Sequence, residues 1–253
     1  MRVHVEWGAK ALERATGTAI IVDCLSFSTA LSVACARGAK VFPFGTYEGG
    51  KRLAACLSIE CVGKRKEQGL SLSPPTLDMV QPGQKIVLPS PNGSNLSTLS
   101  KAKSSFAGAL RNAKAVAEAA MGQGDDIVIV AAGERWHGDG SLRPAFEDQL
   151  AAGAIASFLT GDKTSEAIAA MAVFNACEND LLAALHQCDS GKELTERGFA
   201  QDVEWASQLN AANCVPRLQT LQKTYEDIGM KAADMPGDMS PNEKIRFYSS
   251  SQL

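Results

Sequence analysis

Three apolar runs in this chain end in polar groups of the kind that bind or transfer charged atoms. IIVD closes on Asp23, IVLPSPNGS carries Asn92, Gly93 and Ser94, and IVIVAAGER carries Glu134. A fourth segment, FEDQLAAGAIASFL, sets Glu147 and Asp148 side by side at a helix start. Carboxylates gathered in one crevice repel one another unless a cation neutralises them. An all-oxygen set of this kind suits Mg²⁺, which takes one or two carboxylates and completes its shell with water and phosphate oxygens. The loop GKRK adds Lys64 and Arg65, and a guanidinium can grip two oxygens of one phosphate. Together these types could support attack on a phosphate ester, with cation, Arg and backbone amides balancing charge on the transferring group.

Each residue also has a plainer reading. Asp23 after a strand can cap the helix that follows it. Glu147 and Asp148, taken singly, can compensate a helix dipole. Asn92-Gly93 is an ordinary turn pair, and a basic run is usually a solvated face. His137, in the loop after Glu134, could protonate a leaving alkoxide, or simply face solvent.

Positioning these groups requires strands that stop at a common edge. TAIIV over Thr18–Val22 is uninterrupted and apolar, as expected of a strand buried on both faces, and DIVIVAA, from Asp126, reads the same way. Lys40–Phe44 and residues 85–88 supply further strands, with a shorter one at residues 59–62. Helices are expected at residues 28–37, 47–57, 94–100, 114–121 and from Phe146, and then through most of the chain from Ser165. A short strand is expected near Val215, and an irregular polar tail after Met235. Alternating strands and helices predict an α/β fold, layered α/β/α with a largely parallel or mixed sheet and a helical C-terminal third. Parallel strands bind ligands beyond their carboxyl ends, where the acids above would meet. Absence of repeats or linkers makes residues 1–253 one compact unit, or two intertwined lobes.

Composition narrows the partners. A net charge of -3 gives no cationic footprint for nucleic acid. The first ten residues include Arg2, His4 and Glu6 and no apolar signal core, and no apolar run of membrane-spanning length stands out. Seven cysteines, an odd number with no CxxC pair, point to reduced thiols and a cytoplasmic protein. A homodimer is the expectation for this size class.

In order and spacing, several segments resemble the 2-phosphosulfolactate phosphatase family, from about Ala19 to Arg217. They are IIVDCLSFSTAL with ARGAKVFPF, VGKRKEQGLSLSP, LPSPNGS with ALRNAKAVAEA, VIVAAGERW, FEDQLAAGAI, and SGKELTERGFAQDVEWASQLNAANCVP. The resemblance implies a Mg²⁺-dependent hydrolase of a phosphate monoester on a small anionic acid, and by association a place in coenzyme M synthesis. It carries over Asp23, Arg65, Asn92, Gly93, Ser94, Glu147 and Asp148. Glu134 rests on its strand-end position. The working assignment has Asp23 holding the cation with Glu134, Glu147 or Asp148, or else attacking phosphorus itself. Arg65, Asn92 and Ser94 then act on the phosphoryl group, with substrate contacts from Lys64, Gly93 and Ser28. Three positions depart from the family's usual pattern: Ser26 where an Arg is common, Lys64 where an acid is common, and Leu72 where an Asn precedes Ser-Pro. A non-catalytic, anion-binding member of the same fold is the alternative.

Overall fold

The computed structural model describes residues 1–237 and 239–250. Its strands are β1 (Arg2–Trp7), β2 (Thr18–Val22), β3 (Lys40–Phe44), β4 (Glu60–Cys61), β5 (Lys85–Pro89), β6 (Ser104–Gly108), β7 (Ile127–Ala131), β8 (Glu134–Arg135), β9 (Leu142–Arg143), β10 (Asp162–Lys163), β11 (Pro216–Thr224) and β12 (Lys244–Ser250). Its helices are α1 (Gly8–Ala11), α2 (Phe27–Ala36), α3 (Tyr47–Leu57), α4 (Pro74–Leu77), α5 (Gly93–Leu99), α6 (Ala113–Met121), α7 (Phe146–Phe158), α8 (Ser165–Cys177), α9 (Leu181–Gln187), α10 (Asp189–Glu196) and α11 (Ala200–Ala206).

Ten strands form one sheet in the order β10-β1-β7-β2-β6-β11-β12-β3-β5-β4, and β8 and β9 form a separate hairpin. From β10 to β6 neighbours are parallel, as are β3, β5 and β4. Between these blocks lies the antiparallel pair β11 and β12, so the blocks run in opposite senses. The strand period of two distributes the apolar side chains. Ile20 and Val22 of β2, with Ile127 and Ile129 of β7, face the cluster built by α6, α7 and α8. Ala19, Ile21, Val128 and Val130 face the opposite layer, under α1 and α5. Strand β5 divides likewise, with Ile86 and Leu88 toward α2 and Val87 toward α3. Burying each such Ile, Val or Leu contributes about 1.5–3 kcal/mol, which is why uninterrupted apolar runs occupy the sheet centre.

Both blocks bear on the site. A twist of about 20–25° per strand over the five steps from β2 to β5 turns one block against the other by roughly 100–125°. The carboxyl ends of two oppositely directed blocks can then meet at one corner, and those of β2 and β5 do.

Several expectations are corrected. The segment after Met235 is not irregular throughout, since β12 takes seven of its residues, and the short strand expected near Val215 is the nine-residue β11. Strand β11 is mostly exposed, so its apolar signal is weak, and β12 buries Ile245, Phe247 and Tyr248 within a polar stretch. Positions 238 and 251–253 of that expected tail lie outside the described residues. The opening residues form β1, with Val3 and Val5 turned into the core. The helical run Ser165–Gln187 is, by its 23 residues and mean hydropathy of 1.3, long and apolar enough to cross a membrane. Glu178 and Asp180 interrupt it in the sequence, and Ala167, Ala170, Phe174, Leu181 and Leu185 pack into the core.

Candidate active site

Asp23 follows β2 directly and is only 6% exposed. Its Oδ2 accepts the Gly93 amide at 2.7 Å and the Ser90 hydroxyl at 3.3 Å, and its Oδ1 accepts the Phe27 amide at 3.3 Å. Capping and site-building therefore coincide in one carboxylate. The close approach of α5 requires glycine: a Cβ on Gly93 would lie 2.2 Å from Phe27 Cδ1 and 2.8 Å from Asp23 Oδ2.

Two further acids reach the same corner. From the first turn of α7, Asp148 accepts the Cys24 amide at 2.7 Å on Oδ1 and the Gly133 amide at 2.8 Å on Oδ2, tying the turn after β2 to the turn after β7. Gly133 takes φ +65°, and the Arg143 carbonyl would stand 2.7 Å from a Cβ there. Glu147 is 3% exposed and sits against the Cys188 thiol.

The fourth acid, Glu134, opens the β8–β9 hairpin and accepts the Asn92 side-chain amide at 3.1 Å. The ends of β2, β5 and β7 and the start of α7 thus converge.

Burial, and then neighbouring carboxylates, raise the pKa values of Asp23, Glu134 and Asp148. Burial, then Asp23, pushes Glu134 up to about 7 against the pull of the Asn92 hydrogen bond. Burial, then Asp23 and Glu147, holds Asp148 well above the usual range. Asp23 is also raised by burial and by Glu147, although the Gly93, Phe27 and Ser90 bonds oppose the shift. Such a cluster is short of positive charge. Burial and the neighbouring Asp148 also raise the Cys24 thiol, which removes it as a nucleophile.

One cation reaches the turn that follows Asp23. Arg65 Nε donates to Asp202 Oδ2 at 2.8 Å, and its Nη2 donates to Ser26 Oγ at 2.8 Å, within the turn that follows Asp23. Three of the five guanidinium N–H groups remain unused by these two bonds. Asp202 is fixed in turn by the Ser73 hydroxyl. Lys64 lies with its ammonium 5.1 Å above the Tyr47 ring. Both cations line a cleft of about 240 Å³ with Ser90, Pro91, Leu72 and Arg197. A larger groove of about 820 Å³ offers Lys114 and Glu118 as its charged lining, and these already lie 4.0 Å from each other. The smaller cleft is the chemically equipped one.

The sequence match is extensive: residues 8–220 match the 2-phosphosulpholactate phosphatase family. The chain belongs to that family. A probable 2-phosphosulfolactate phosphatase of Prochlorococcus marinus is 30% identical over 218 residues, covering 79% of this chain and 88% of the relative. A protein of the same description from Carboxydothermus hydrogenoformans is 31% identical over 232 residues, covering 85% and 92%. The 2-phosphosulfolactate phosphatase of Methanothermobacter thermautotrophicus is 30% identical over 207 residues, covering 79% and 86%.

In this phosphatase-family chain the sequence-derived site residues fall in two groups: Asp23, Asn92, Gly93, Glu134, Glu147 and Asp148 at the acid corner, Lys64 and Arg65 in the cleft. Ser94 and Ser28 bond to backbone groups beside the corner. Ser94 is fully buried and donates to the Leu88 carbonyl. Ser28 is fully buried and donates to the Asp23 carbonyl while accepting the Asp23 amide. These hydroxyls stabilise the turns that aim the site. The Gly93 amide is likewise committed to Asp23. His137 is exposed in the hairpin loop. Ser90, Asp202 and Arg197 escaped the sequence argument. Asp202 carried the detectable signal, since it stands beside Val203 and four residues before Ala206 on the buried face of α11. Ser26, in place of an Arg, receives the Arg65 guanidinium.

Proposed function

We propose that this chain hydrolyses the phosphate monoester of a small anionic acid resembling 2-phosphosulfolactate, with Mg²⁺ as cofactor. The observation that carries the proposal is the gathering of four acids, three of them with raised pKa values, at a corner whose turn is held by Arg65, with its donors in part unused. The names of the relatives supply the ester; the cleft supplies the charge and size that suit it.

The donor set fits the cation. All four acids offer hard oxygen ligands, and their mutual repulsion is what a divalent ion relieves. Among the described residues no three potential ligands form a preformed metal cage. Mg²⁺ takes one or two carboxylates and completes its shell with water and phosphate oxygens. Asp148 and Asp23 each accept a backbone amide on both oxygens, so both shape the corner, and only their remaining lone pairs are open to an ion. Asp23 and Glu147 would hold the ion, and when bound it would polarise the phosphate oxygens and neutralise developing charge.

The protein's own groups do the rest. Arg65, held at Nε by Asp202 and at Nη2 by Ser26, presents its remaining N–H donors to non-bridging phosphate oxygens. Glu134, brought close to neutrality, can hold or release a proton at its carboxyl, and Asn92 orients it. Proton exchange with the attacking water or the leaving alkoxide is the role for which that value is suited.

Colorimetric phosphate release from a panel of small phosphorylated acids, with Mg²⁺ or with EDTA, tests this reading. Mg²⁺-dependent release is expected. Tight binding without release would instead make the chain an anion-binding member of the family, and undiminished release in EDTA would remove Mg²⁺ from the account.

A further inference from the structure

We infer that Arg197, with Lys64, forms a second anion subsite that takes a carboxylate or sulfonate of the substrate while Arg65 takes its phosphate. The inference rests on the phosphatase reading of the same cleft.

Lys64, Arg65 and Arg197 all line the cleft, and its walls include no carboxylate. The three are not equivalent. Arg65 leans on the turn that bears Asp23 and is bound to the buried Asp202, with its own side chain 14% exposed. It belongs to the acid corner, where a phosphoryl group would react. Arg197 rises from the end of α10, and its partner is Glu193, one turn back on the same helix and well exposed. Exposed pairs of this spacing are weak and easily exchanged for a ligand carboxylate. Lys64 holds its ammonium 5.1 Å over the Tyr47 ring, with the exposed Glu67 carboxylate as a charged neighbour. A lone phosphate dianion at Arg65 leaves these two outer cations with exposed partners on the protein alone, which a second acid group on the same small molecule can displace.

The cleft's size agrees. About 240 Å³ lies below the range of drug-sized or nucleotide ligands, so the occupant is a short acid. Ser90, which bonds Asp23 and also lines the cleft, joins the reacting end to the outer end. Leu72 and Pro91 wall the space between with apolar surface that suits a short carbon backbone.

Two esters differing only in the second acid separate this subsite from general catalysis: 2-phosphoglycolate and ethyl phosphate. R197Q is expected to lower kcat/KM for 2-phosphoglycolate roughly 10–100-fold, the loss of one charge-assisted bond, mainly through KM. For ethyl phosphate the change is expected to stay within about 3-fold, since the lost contact has no counterpart in that ester. R197K restores most of the preference. An equal fall for both esters, or no fall for either, overturns the subsite. If the wild-type protein hydrolyses neither, the phosphatase reading fails, and calorimetric titration with the same two esters decides the subsite separately. Selective binding of 2-phosphoglycolate that R197Q abolishes upholds it; equal or absent binding overturns it.

Discussion

Asp23→Asn is expected to lower Mg²⁺-dependent phosphate release by roughly 10²–10⁴-fold, on the scale of removing one essential charged catalytic group. The substitution is nearly isosteric, so the amide oxygen can still accept the Gly93 amide now bonded to Asp23 Oδ2 at 2.7 Å. It also removes one of the carboxylates that raise Glu134 and Asp148. Thermal stability should therefore stay within about 2 kcal/mol of the parent, because relief of repulsion offsets one mismatched hydrogen bond. Steady-state phosphate release and thermal unfolding of the same sample separate the two effects. Full activity in the variant would remove Asp23 from the chemistry. Lost activity with a collapsed melting temperature would make it merely structural.

Asp148→Ala should produce the largest loss of stability. Its carboxylate bridges the Cys24 and Gly133 amides, both buried, and truncation leaves two donors without partners. Each orphaned donor costs about 1–3 kcal/mol. Removal of a buried charge gives part of this back, since burial and its neighbours disfavour that charge. A net loss of about 2–4 kcal/mol corresponds to a melting temperature lower by roughly 4–16 °C for a chain of this size. Asp148→Asn, which keeps one acceptor, should fall between parent and Ala variant. Calorimetry on all three checks the order, and an Ala variant as stable as the parent would mean that the bridge does not hold the two turns together.

The parts of the molecule legible in the sequence are those whose signal is local. Strands β2 and β7 announce themselves because every residue between their ends is apolar and buried. Asp23 and Glu134 are legible because the chain turns polar where those strands stop. What was hidden depends on tertiary partners. Arg65 and Asp202 are 137 positions apart, and no local pattern marks them as a pair. Ser28 and Ser94 have the residue type of ligand donors, but hydroxyls near strand ends also satisfy nearby backbone groups, and here that use prevails. The reversed β11 and β12 were illegible as strands of a central pair because β11 exposes most of its residues. Without them the opposed blocks, and the twist that brings β5 to β2, could not be anticipated.

The pH dependence of Mg²⁺ stabilisation bears most directly on the shared acid corner. Glu134 is raised from 4.5 to about 7, and Asp23 and Asp148 are raised as well, so the folded protein binds protons more tightly than the unfolded chain. This contribution is fully present below the unfolded carboxylate values and is lost as pH rises, for Glu134 between about 4.5 and about 7. Metal-free protein should thus melt lower at about pH 8 than at about pH 5 on this account. Mg²⁺ at about a hundred times its Kd should return about 2.7 kcal/mol at the higher pH, and distinctly less at the lower one, where protons compete. Thermal unfolding with and without Mg²⁺ at both pH values measures this. A Mg²⁺-induced rise confined largely to the higher pH, diminished by Glu147→Gln, is the expected result; melting temperatures indifferent to Mg²⁺ at both would contradict a cation site at Asp23 and Glu147 in this acid corner.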